Sequence, residues 1–304
     1  YYPNINTVVV NALCEVIKEE DIPTVRNGMD FIISRFPLNI GNNMITDEAK
    51  ITLIISILHL LIKNDYSAVR RVDNWILESS GSNGYSVKWT SEEMTYKIKL
   101  LIEAFKIIFS PSKIYSEEEL INNVTIISNL LINQEKFTNY LLPYISCNIL
   151  KCVVNYWQIS LNSSENVNDN DLINKINTFF GETRHSKILW MSLANYLENT
   201  DKEINEFYKK MNDSDVDSDS EEANNKIVLD KINEFFPVLK FCLIFIEMKS
   251  NEGRINYYIP IITHLLNIIK KIKITKRSCI NKMKHIILIT LVFVKSLQEK
   301  RIQN

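Results

Sequence analysis

Residues 25–38 read VRNGMDFIISRFPL, residues 51–62 read ITLIISILHLLI, and residues 61–77 read LIKNDYSAVRRVDNWIL. In the first block Met29, Ile32, Ile33 and Phe36 recur at helical spacing and Pro37 closes the run. This predicts an amphipathic helix that opens with Pro23 at its first helical position, where a missing N–H costs nothing. The second block is an apolar helix too short to cross a bilayer, which needs about 18 to 20 apolar residues. In the third, Arg71 and Trp75 stand four apart and share a helix face, so the guanidinium is expected to lie over the indole. Arg70 is displaced by about 100° and can reach a neighbouring carboxylate or carbonyl. Arg70, Arg71 and Trp75 therefore read as a structural clamp between helices or as a partner-binding anchor.

Moving outward, helical punctuation continues along the chain. Thr46 before Asp47 and Glu48, and Thr90 before Glu92 and Glu93, mark helix starts, since a side-chain oxygen accepts from orphan amides and carboxylates favour the positive helix end. Ser116 followed by Glu119 is a capping box. Pro237 and Pro260 would each start a helix or kink one. No alternating Val/Thr/Tyr pattern bounded by Asn-Gly turns argues for a sheet. The expected class is all-α, an α-solenoid of HEAT or armadillo-like hairpins, with a compact all-α bundle as the alternative. The predicted organisation is a helical-repeat segment over 1–160, a polar loop at 161–171, and further helical repeats over 172–304. A disordered acidic insertion is expected at 212–225, MNDSDVDSDSEEANN being too polar to offer a packed face.

Thirty-five basic and 36 acidic residues give a formal charge of −1, so no whole-chain field would draw in nucleic acid. Five scattered cysteines without a C-x-x-C pair read as buried thiols in a reducing, cytoplasmic setting. Cys147 and Cys152 could bind metal only with a histidine brought from elsewhere. His59 and His264 sit in apolar helical runs and are expected in the core. The chain lacks a glycine-rich phosphate loop, H-E-x-x-H and G-x-S-x-G. No catalytic residue, cofactor or metal site is therefore expected, and the chain is read as a non-enzyme.

Two charged stretches carry the remaining candidates. Asp213, Asp215, Asp217 and Asp219 alternate as calcium ligands do, but a loop starting at Asp213 has Ser218 and Asn224 where glycine and glutamate are required. Ser214 and Ser218, each with an acidic residue three places on, are candidate phosphorylation sites whose phosphates could dock on a basic cluster. Lys270, Lys271, Lys273, Lys276 and Arg277 form such a cluster, a candidate contact for anionic lipid or an acidic partner.

The blocks at 25–38 and 61–77 also carry a resemblance. Val25, Arg26, Asn27, Gly28, Met29, Asp30 and Phe31, then Phe36, Pro37 and Leu38, followed by Lys63 through Val72 and then Trp75, Ile76 and Leu77, resemble two ordered blocks of the Dopey family. Where that pattern has an arginine pair the chain has Lys63 and Asn64, and Glu78 stands in place of a glycine. The stop there is left to Ser79, Ser80 and Gly81. The likeness covers about the first half of the chain and fades after Trp157. With Tyr1 at its start, the chain is expected to be a fragment of the family's N-terminal region. The resemblance implies a non-catalytic scaffold in Golgi and endosome membrane traffic, cytoplasmic and peripheral on those membranes. It implies as partners a large Sec7-related Golgi scaffold and an aminophospholipid flippase, with membrane association mostly indirect. The alternative is an unrelated HEAT/armadillo-type adaptor or a transport-receptor-like module.

Overall fold

The computed structural model describes residues 3–40, 44–63, 65–77, 91–162, 171–181, 183–212, 236–242, 251–271 and 277–298. Regular structure among the described residues is all helical, without a strand. In chain order the helices are α1 (Pro3–Lys18), α2 (Ile22–Arg35), α3 (Asp47–Leu58), α4 (Tyr66–Leu77), α5 (Glu92–Ile108), α6 (Glu117–Asn133), α7 (Phe137–Asn162), α8 (Asp171–Gly181), α9 (Thr183–Asn212), α10 (Asn251–Lys271) and α11 (Arg277–Gln298). Residues 236–242 are helical as well. No described helix is long and apolar enough to cross a membrane.

Local chemistry explains where these helices begin and end. Asp21 caps α2 by accepting from the Thr24 N–H at 2.9 Å, which puts Pro23 in the second helical position, where an N–H would also lack a partner. Phe36 leaves α2 with φ −127 and ψ 56 because the following Pro37 disfavours helical backbone. Thr46 caps α3, as the sequence predicts, and Ser116 with Glu119 forms the capping box of α6. For α5 the cap is Ser91, accepting from the Met94 N–H at 3.2 Å, while Thr90 lies outside the described residues. The apolar run at 51–62 does not finish as α-helix. It tightens into a 3-10 turn, His59–Ile62, before α4.

Several expectations need correction at this level. His59 is exposed, its Nδ1 2.7 Å from the Ile55 carbonyl, whereas His185 is the buried and satisfied histidine, bonded to the Phe179 carbonyl at 2.8 Å. Of the two placements expected for Pro260, at a helix start or within one, it takes the second, inside α10; Pro143, unremarked in the sequence, sits inside α7. Leu161, Asn162 and Asp171, read as loop, belong to α7 and α8, and 163–170 lie outside the described residues.

The chain divides into two compact units, Tyr1–Asn148 and Ile149–Asn304. In the first, α1 packs on α2 and α3, α3 on α5, α2 on α4, and the 3-10 turn on α6. Leu101, Ala104, Phe105 and Phe109 of the α5 segment are fully buried there, with the two rings stacked at 6.5 Å. Tyr115 fastens the turn after α5: its hydroxyl donates to the Ile108 carbonyl at 2.8 Å and accepts from the Ser110 N–H at 2.9 Å. In the second unit α8 packs on α9, α9 on α10 and α10 on α11. Trp190, Tyr258 and Phe293 meet edge to face at its centre.

Candidate functional site at the seam of α2 and α4

The sequence blocks at 25–38 and 61–77 meet face to face in the first unit. Arg26 on α2 donates from its terminal nitrogen to Asp65 at 3.0 and 3.3 Å. Asp65 also accepts from the Ser67 N–H at 2.9 Å, so one carboxylate both caps α4 and holds α2. One turn further along, Arg71 grips Asp30 with two bonds, Nε to Oδ1 at 2.7 Å and a terminal nitrogen to Oδ2 at 3.1 Å. The Ser67 hydroxyl and carbonyl take the remaining guanidinium nitrogen. At the far end the Trp75 indole, 3% exposed, donates to the Phe36 carbonyl at 2.9 Å. That carbonyl ends α2 and would otherwise be a buried orphan. The contacts ascend together along both segments, 26 with 65, 30 with 71 and 36 with 75, so α2 and α4 run in the same direction.

This arrangement corrects one expectation. Arg71 does not lie over the Trp75 indole; its guanidinium is engaged by Asp30, which offers a planar two-bond match that an aromatic face does not. Arg70, expected to reach a carboxylate or carbonyl, is exposed and makes no hydrogen bond or ion pair among the described residues. With Tyr66, 86% exposed, and Asn74, also exposed, it forms a row at i, i+4 and i+8 along the outer face of α4.

Charge effects follow from these partners. The Arg71 bond holds the Asp30 carboxyl below its ordinary value, and Arg26 does the same for Asp65. On the other flank of α4, Asp73 faces Gln134 at the end of α6, and burial pushes its carboxyl above the ordinary value while its Oδ1 has no hydrogen-bond partner. Asp47, Lys50 and Tyr96 form a second polar tie, between α3 and α5. Lys50, 3% exposed, donates to the Tyr96 hydroxyl at 2.8 Å, and that hydroxyl donates to Asp47. Gly28 completes the seam from behind. A Cβ there would stand 2.7 Å from Cγ1 of Val16, so glycine permits the close approach of α1 and α2.

Sequence reasoning found Arg71 and Trp75 but missed Arg26, Asp30 and Asp65 as their counterparts. The available signal was charge order: a cation four residues before an anion on α2, and an anion six residues before a cation on α4. The arrangement is suited to fastening helices, since each charged member is occupied by its opposite. Among the described residues no group of three or more His, Cys, Asp or Glu could hold a metal. The other candidates are only partly described. Ser214 and Ser218 lie outside the described residues, as do Lys273 and Lys276. Lys270 is exposed near the end of α10, while Lys271 and Arg277 are helical with side chains outside the described set.

Comparison with known proteins bears on these same residues. The family model described as Dopey, N-terminal, matches residues 1–81, which contain the whole seam. The chain is also 27% identical over 199 residues to Protein DOP1 of Saccharomyces cerevisiae, an alignment covering 59% of this chain and 11% of that protein. The chain thus spans about a tenth of the length of the curated relative it matches. No solved structure matches. The Dopey family is not a known enzyme family. By the family match and the yeast relative together, residues 1–81 of this chain are a Dopey-family N-terminal segment.

Proposed function

We propose that this chain is part of a non-catalytic helical scaffold that acts in Golgi and endosome membrane traffic through protein–protein contacts. The observation that carries the reading is the seam. The residues that mark the family are used to fasten α4 to α2, and what they leave outward is a contact row, Tyr66, Arg70 and Asn74. Tyrosine and arginine are side chains favoured as anchors at interfaces, and here neither must break an internal bond to serve. The alternation of contacts in the first unit, α1 to α3 to α5 and α2 to α4, supports a stack of helical hairpins of the HEAT or armadillo type. In such a stack each added hairpin extends a surface at fixed spacing, which suits tethering. The partners in this reading are a large Sec7-related scaffold and an aminophospholipid flippase, and the protein is peripheral on its membranes.

The test is affinity purification of the full-length protein, wild type beside Tyr66→Ala/Arg70→Ala. The expected result is recovery of the Sec7-related scaffold by the wild type and its loss from the double variant. Absence of both the scaffold and a flippase from the wild-type eluate, in cells that express them, contradicts the proposal.

A further inference from the structure

Ser116, Glu117, Glu118 and Glu119 open α6, and their first role is structural. The Ser116 Oγ accepts from the Glu119 N–H at 3.2 Å, and the Glu119 carboxylate accepts from the Ser116 N–H at 2.9 Å. The same residues also place a carboxylate at each of the three positions after a serine, the third being the spacing that singles out Ser214 and Ser218. Those two lie outside the described residues, whereas Ser116 is described and exposed. No other serine or threonine with a described side chain has an acidic residue three places on. Glu118 and Glu119 are exposed as well, and Ile114 before them is 79% exposed. The chain is pinned on either side, by the Tyr115 hydroxyl on the Ile108 carbonyl and by buried Leu120. Only residues 116–119 must therefore lift for the hydroxyl to be presented, and a terminal turn opens at little cost compared with the body of a helix. The ion pair that this opening breaks, Glu119 with Lys113 at 3.2 Å, is half exposed on both sides and weak.

We infer that Ser116 is a phosphorylation site for an acidophilic serine kinase, which reads carboxylates on the C-terminal side of the hydroxyl by their charge. In the step the Ser116 oxygen bonds to the γ-phosphorus of ATP, the bond from that phosphorus to ADP breaks, and the hydroxyl proton passes to the kinase's base. The product carries about −1.5 to −2 charge where the capping box stood. Its ester oxygen no longer donates to Glu119, which the hydroxyl does at 3.3 Å, and the phosphate repels that same carboxylate. The reciprocal bonds of the box give way to a phosphate at the positive end of α6. Lys113, 3.2 Å from Glu119 and 4.6 Å above the Tyr115 ring, is the cation in reach to turn towards it. One serine thus serves as a helix cap when free and as a reversible anionic mark when modified. The inference stands independently of the trafficking role and of its protein partners.

The experiment is treatment of the folded 304-residue chain with casein kinase II and magnesium ATP, each phosphate being located by mass spectrometry. Phosphate is expected on Ser116 of the wild type. Ser116→Asn keeps a good cap but offers no hydroxyl, so it should lose that one phosphate while any labelling at Ser214 and Ser218 is unchanged. Glu119→Gln, which a capping box tolerates, should lose most of the labelling at Ser116, because it removes the charge and not the cap. An unlabelled Ser116 in the folded chain, even where a peptide spanning residues 110–124 is labelled, overturns the inference. Equal labelling of Ser116 in Glu119→Gln and the wild type overturns it as well. Should Glu119→Gln misfold, Glu118→Gln decides in the same way, since its exposed side chain takes no part in the cap.

Discussion

Gly28, Trp75 and Asp73 show how much a single position decides in this seam. A methyl at Gly28 would press on Val16, a β-branched side chain with few rotamers to retreat into. Overpacking of that kind costs about 1–3 kcal/mol, against about 1 kcal/mol gained in helix propensity. Gly28→Ala should therefore destabilise the first unit by about 1 kcal/mol in a denaturant titration, instead of stabilising it as an exposed helical glycine would. Asp73 has the opposite sign. Its carboxyl is raised above the ordinary 3.8, so the folded state favours the neutral acid. The cost of charging it is absent below the unfolded value and grows as pH rises through the raised folded value. Asp73→Asn should raise the melting temperature at pH 7 and leave it unchanged at strongly acidic pH, in melts run across that range. Sequence alone exposed Arg71 and Trp75 but not their partners, because Asp30 and Phe36 lie 41 and 39 residues away and nothing local specifies that distance.

At the scale of the element, starts were legible and neighbours were not. Thr46 and Ser116 act within one turn, so their chemistry can be read from adjacent residues; the start of α2 was read from Pro23, and its cap Asp21 was missed. Ser116→Ala should cost about 1 kcal/mol, measured as a shift of the unfolding midpoint. The tightening of α3 into a 3-10 turn and the shared direction of α2 and α4 depend on packing between helices, which periodicity does not encode. The seam's ion pairs are partly solvated, so Asp30→Asn combined with Arg71→Gln in a double-mutant cycle should return a coupling below about 1 kcal/mol that shrinks with salt. Asp30, Asp47 and Asp65 all have lowered folded values. What these three carboxylates contribute is present above the ordinary aspartate range and lost as pH falls through the lowered values. Acid should therefore loosen α2 from α4 and α3 from α5, visible as faster amide exchange in those helices.

For the whole molecule, the helical class was legible throughout, since apolar residues at helical spacing recur in both compact units. The family was legible over about the first half of the chain; the family model matches residues 1–81, and the yeast relative aligns over 199 residues. At this scale the family-marking residues fasten the fold while the row of Tyr66, Arg70 and Asn74 beside them faces outward. Thermal unfolding of the 304-residue chain as Trp75→Ala and as Arg70→Ala tests that claim most directly. The expected result is a loss of about 3–5 kcal/mol for Trp75→Ala, which empties a buried site and orphans the Phe36 carbonyl, and a change within about 0.5 kcal/mol for Arg70→Ala. Equal stability of Trp75→Ala and the wild type would contradict it.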